Sequence, residues 1–149
     1  MKAPQSPEIA AGYSGTPLPD KLGLKDGQRV LFIGLPVELN DLSGSRHFLE
    51  MAQVEWEAFG AGEQGFDVIH AFTSSRAVLE DKAKALISAI SRDGMIWLSW
   101  PKKASKMPTD ITEDGIREVI LPIGLVDVKV CAVDAVWSGL KLVIRKELR

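Results

Sequence analysis

Residues 66–100 decide the fold: Phe66-Asp67-Val68-Ile69-His70-Ala71-Phe72, a Ser74-Ser75 pair, a helical stretch, then Met95-Ile96-Trp97-Leu98-Ser99-Trp100. The first run is apolar almost throughout, as in a strand covered on both faces. Ser74 or Ser75 offers an N-cap oxygen. Leu79, Ala83, Leu86, Ile87 and Ile90 then fall on one face at helical spacing, with Glu80 and Lys84 as an i,i+4 pair outside. Gly94 ends the predicted helix, and the second apolar run reads as another buried strand.

Upstream, the turn Lys25-Asp26-Gly27-Gln28 leads into a strand, Arg29-Val30-Leu31-Phe32-Ile33-Gly34, that Pro36 stops. Ser43 or Ser45 then caps a short predicted helix through His47–Met51. Val54–Phe59 alternates as a half-exposed strand does, with a continued helix as the alternative, and Gly60, Gly62 and Gly65 break the pattern. Downstream, Asp110 reads as the N-cap of a helix with Glu113 at capping-box spacing. Ile116, Val119 and Ile120 supply its inner face, and Pro122 with Gly124 ends it. Val126–Val130 and Leu140–Arg145, joined through Asp134–Gly139, read as an antiparallel pair. The expected fold class is α/β: a small three-layer, Rossmann-like open sheet, mostly parallel, ending in an antiparallel C-terminal hairpin. Residues 1–26, rich in Pro, Gly and Ser, read as an extended arm, mobile over 1–10 and pinned near 12–19. Residues 27–149 read as one domain.

At 149 residues the chain suits a single domain, and 46% hydrophobic with 26% charged residues is globular composition. A net charge of −2 argues against general nucleic-acid binding. The single cysteine, Cys131, excludes an internal disulfide and a cysteine-based zinc site. No signal-peptide run and no membrane-length apolar segment is present, so a reduced, cytoplasmic protein is expected.

Chemistry concentrates where the strand ending at Trp100-Pro101 opens into Lys102, Lys103 and Lys106. In open parallel sheets the crevice beyond the strands' carboxyl ends is where ligands bind. Lys102, Lys103, Lys106, Thr109, Asp110, Trp100, Trp137 and Ser138 are the candidate ligand residues, and the expected partner is an anionic small molecule or an acidic protein surface. The competing reading is a solubilising loop, with the lysines paired to Asp110, Glu113 or Asp114. Trp97, Trp100 and Trp137 gather at this edge or are buried in the sheet. The loop after the first strand, Ile33-Gly34-Leu35-Pro36-Val37-Glu38-Leu39-Asn40, lacks the Gly-x-Gly spacing of a cofactor loop. No acidic residue to hold a ribose is identified on the second strand. No nicotinamide or S-adenosylmethionine cofactor is therefore expected, and Glu38 and Asp41 read as solvated. Ser99, Ser105 and Ser138 show no histidine partner for a hydrolase triad. His47 and His70 form no metal pattern, so no metal is expected. His70 reads as a near-core imidazole, with a catalytic base as the alternative, and Cys131 as an apolar filler.

Residues 66–145 resemble the later part of a class I methyltransferase, where strand, helix, strand, helix and antiparallel hairpin run in this order. The phrases Gly12–Leu18, Trp100–Lys103, Gly124–Asp134 and Trp137–Lys141 are similar to a bacterial family known only as a domain of unknown function, which implies no activity or cofactor. The expected function is a non-catalytic module that binds an anion. The alternatives are a divergent methyltransferase-like enzyme and a protein–protein adaptor using a sheet edge or the N-terminal arm.

Overall fold

The computed structural model describes residues 15–149. The expected mobility of residues 1–10, and the first part of the pinned arm, fall outside the described residues. The strands are β1 (Arg29–Ile33), β2 (Glu50–Val54), β3 (Phe66–Phe72), β4 (Ile90–Pro101), β5 (Leu125–Ala132) and β6 (Trp137–Ile144). They form one sheet in the order β2-β1-β3-β4-β6-β5. β1 pairs parallel with β2 and β3, and β3 parallel with β4. β6 runs antiparallel to both β4 and β5. The helices are α1 (Leu18–Lys21), α2 (Arg76–Ala89) and α3 (Glu113–Ile120). This is the expected mostly parallel α/β sheet with its antiparallel end.

Alternation along the buried strands divides the core in two. Leu31, Ile33, Ile69, Ala71, Leu98 and Trp100 face Leu79 and Leu86 of α2 and Ile116 and Ile120 of α3. Val30, Phe32, Val68, Phe72 and Trp97 face the other way, toward Leu22, Leu24, Leu39 and Leu42. The cover on this second side comes from α1, the segment after it and a 3₁₀ helix, Val37–Gly44, rather than from a long helix. The Trp97 indole N–H donates to the Leu22 carbonyl at 2.9 Å and fastens that segment to the sheet.

Several boundaries differ from the sequence reading. The predicted helix over 47–51 is instead the approach to β2 and its start; an edge strand with burial on alternate residues gains its structure from the ladder to β1. The strand expected over Val54–Phe59 ends at Val54 and turns through a 3₁₀ helix, Trp56–Ala58. α2 stops at Ala89, before Gly94, which lies inside β4. A Cβ at Gly94 would sit 2.9 Å from the Asp67 carbonyl, so a close approach to β3 requires that glycine. Glu80 pairs with Arg76 at 2.9 Å in place of Lys84. The N-cap of α3 is Thr112, whose hydroxyl accepts from Gly115 N at 3.0 Å, two residues beyond the expected Asp110. Ser138 and Gly139 lie inside β6 and not in the hairpin turn. Asp134 shapes that turn, its carboxylate accepting from the amides of Val136 and Trp137. The outer strand β5 has a register shift between Asp127 and Lys129 and exposes Val128 and Val130. Among the described residues no helix is long and apolar enough to cross a membrane.

Candidate functional site

Beyond Pro101 the chain is tied to the β5–β6 turn by a bond from Lys102 N to the Val136 carbonyl at 2.7 Å. A 3₁₀ helix, Lys103–Ser105, follows, and Lys106 closes it at φ +62°, the sole non-glycine residue with positive φ among those described. Thr109 and Asp110 then stitch the loop to the start of α2. The Thr109 hydroxyl donates to the Ser74 carbonyl at 2.9 Å, and the Asp110 carboxylate accepts from Arg76 N at 2.8 Å. Asp110 thus caps α2 from outside, and Ser75 caps it from within by accepting from Val78 N.

The carboxylates expected to neutralise the lysines are committed elsewhere. Glu113 and Asp114 both pair with Arg117, which also reaches Asp127 on β5. Hydrogen bonds first to Asp127 and then to Glu113, with their charges, raise the Arg117 pKa further, so the guanidinium stays charged. Lys103 and Lys106 are exposed and Lys102 half-buried. Trp137 stands beside them, half-buried and edge-on to Phe72 at 5.3 Å between centroids. Ser138 pairs in register with Trp100. Trp100 does not join this group: it is buried on the opposite face, against α2 and α3. Trp97 is buried too, at 1% exposure.

A second location has the topology of a ligand site. β1 lies between β2 and β3, so the chain's connections part on either side of the β1–β3 gap, the switch point where open sheets form their crevice. Gly34 leaves β1 there at φ +66° with its amide on the Val54 carbonyl at 2.9 Å. Trp56, just past β2, crosses above it, its indole N–H donating to the Phe72 carbonyl at the end of β3 at 2.7 Å. A Cβ on Gly34 would lie 2.9 Å from that carbonyl and 3.2 Å from the indole nitrogen. Glu55 follows β2 directly and is exposed; sequence reasoning missed it because β2 itself was misplaced.

A dinucleotide or S-adenosylmethionine needs backbone room above the first loop and a helix N-terminus beyond it. Here the room above Gly34 holds an indole. The next element is a 3₁₀ helix with Pro36 at its N-cap position and no capping side chain. Glu55 alone matches the acidic position, twenty-one residues after Gly34. The residues present do not fit such a cofactor.

His70 and Cys131 are placed as packing, whereas His47 is exposed with its backbone N–H donating to Asp26. His70 Nε2 lies 2.7 Å from Ser99 Oγ, so Ser99 does have a histidine partner, contrary to the sequence reading. Ser99 pairs in register with Phe72, two residues from His70 on the same face, a neighbour that only the β3–β4 register discloses. Both side chains are buried, at 1% and 0% exposure, and the imidazole stacks on Phe72 at 4.1 Å. Burial pushes the His70 pKa down to about 3. A neutral imidazole sealed among Phe32, Phe72 and Trp97 meets no substrate. Burial raises the Cys131 pKa against the pull of Lys21, Lys129 and Lys102. A groove of about 650 Å³ runs along β1 and β2 from the 62–65 loop to Val54, lined by Arg29, Leu31, Glu50, Ala52, Val54 and Phe66 and by none of the loop lysines. Among the described residues no cluster of three metal-ligating side chains occurs.

No protein-family model and no curated protein matches the chain, so the likeness to a bacterial family draws nothing from either comparison. Solved structures do match. A SAM-dependent methyltransferase from Aquifex aeolicus aligns with a TM-score of 0.64 at 14% identity, over 84% of this chain and 86% of that one. The N-methyltransferase NodS from Bradyrhizobium japonicum aligns with a TM-score of 0.59 at 12% identity, over 84% and 90%. The magnesium protoporphyrin IX methyltransferase ChlM from Synechocystis PCC 6803 gives 0.56 at 11% identity, over 81% and 75%. At these identities the likeness is one of fold.

Proposed function

We propose that this chain is a methyltransferase-fold domain that lacks the methyl-donor site and binds an anion at the Lys102, Lys103 and Lys106 loop. The observation that carries this reading is the charge arrangement. Glu113 and Asp114 are paired with Arg117 and Asp110 is turned to the Arg76 amide, while Lys102, Lys103 and Lys106 follow one another in the loop beyond the carboxyl end of β4. A multiply charged anion such as pyrophosphate suits such a cluster, and half-buried Trp137 pairs in register with Pro101 just before it. Calorimetric titration of the full chain with pyrophosphate tests the proposal. Replacing all three lysines by alanine is expected to weaken binding at least tenfold with the melting temperature unchanged, and added salt to weaken it in the wild type. Equal affinity in the triple variant would sink the reading.

The second reading is a divergent methyltransferase-like transferase, which the fold comparisons favour and to which the exposed Glu55 lends one matching residue. Saturable binding of S-adenosylmethionine or S-adenosylhomocysteine at submillimolar concentration would install that reading in place of the first.

A further inference from the structure

We infer that Trp56 is the resident occupant of the β1–β3 crevice, so that the fold's own ligand position is filled from within by a planar bicyclic ring. Three observations converge on it. The indole spans the switch point, from the end of β2, over Gly34 at the end of β1, to the carbonyl that ends β3. Gly34, at φ +66°, permits a close approach, and two bonded groups make it together: the Phe72 carbonyl oxygen, 2.9 Å from where a Cβ would be, and the indole nitrogen, at 3.2 Å. The ring is fixed rather than free to swing out: its N–H bonds Phe72 O at 2.7 Å, and its edge meets Phe59 at 6.1 Å between centroids. Phe59 is buried at 2% exposure and Trp56 packs against the α2-side core, so displacing the ring would disturb that core.

The socket that remains when the ring is removed has the chemistry of a heterocycle site. It offers a buried backbone carbonyl acceptor at the end of β3, a glycine floor and apolar walls. Its complement is a flat bicyclic molecule with one ring N–H, and indole is the simplest. The wild-type chain therefore takes neither S-adenosylmethionine nor a dinucleotide there, and a chain without the Trp56 side chain takes indole. This deepens the part of the proposed function that denies a methyl-donor site and rests on it; anion binding at the lysine loop uses none of these residues, and the pyrophosphate titration and the indole rescue of Trp56→Ala fail separately.

The test follows the Trp56 indole N–H by two-dimensional NMR on the full chain, with Trp56→Phe identifying the resonance. In the wild type that proton is expected to exchange slowly and to keep its position in millimolar S-adenosylhomocysteine or NAD. Trp56→Ala is expected to melt lower than wild type and to recover part of the loss in millimolar indole, which leaves the wild type unchanged. A saturable shift of the Trp56 resonance by either cofactor overturns the inference, as does a folded Trp56→Ala protein that indole does not stabilise. If Trp56→Ala does not fold, the wild-type titration decides the matter by itself.

Discussion

His70 is the residue whose environment departs furthest from that of the free side chain, and the direction of the departure fixes its effect on stability. In the unfolded chain an imidazole titrates near 6.5; in the folded protein it is held down to about 3 by burial. As pH falls below 6.5 the unfolded chain takes up the proton and the folded one does not. The stability this neutral histidine supplies is thus complete above pH 6.5 and drains as pH drops toward 3, by up to about 1.4 kcal/mol per pH unit. Urea denaturation at several pH values is expected to show this slope in the wild type and a flatter one in His70→Gln, although that variant starts lower at pH 7. Parallel slopes in the two proteins would remove His70 as the cause.

α2 and α3 depend on caps that the sequence places within two residues of their true positions. α3 has eight residues, and Thr112 satisfies one of its free amides. Thr112→Ala is expected to cost about 1 kcal/mol, the usual value of an N-cap oxygen. Glu113 pairs with Arg117 at the surface, so Glu113→Ala is expected to cost only a few tenths of a kcal/mol. Urea midpoints of the two variants compare these directly, and equal losses would return Glu113 to a capping-box role. Asp110 was readable as a cap, but not as the cap of the preceding helix, because its bond to Arg76 N spans 34 residues. β2 was misread for a related reason. Glu50–Val54 is alternately exposed and half-buried at the sheet's edge, and only its ladder to β1 makes it a strand.

Across the molecule, the legible elements are those buried on both faces. Val30–Ile33, Phe66–Phe72 and Ile96–Trp100 announce themselves because a central strand, covered on both faces, is apolar at most positions. The C-terminal pair is legible by its short connection. The site was legible only in part. The loop lysines are close in sequence and their place beyond a strand end follows from the pattern, but that Glu113, Asp114 and Asp110 bond elsewhere among the described residues depends on where Arg117 and Arg76 reach. The filled crevice was hidden, since Gly34, Trp56 and Phe72 meet only through the order β2-β1-β3.

The outer strand β5 has one more consequence, for the behaviour of the protein at high concentration. Its free edge presents Val128 and Val130 to solvent, a β-branched surface of the kind that recruits other strands and seeds aggregation. Two devices oppose this: the register shift between Asp127 and Lys129, which bends the edge, and the exposed ammonium of Lys129 between the two valines. Lys129→Val would create an uninterrupted Val128–Val130 run on that edge. The variant is expected to keep its fold when dilute and to scatter light at concentrations where the wild type stays clear. Equal solubility of the two would mean that the bend, and not the charge, keeps the edge single.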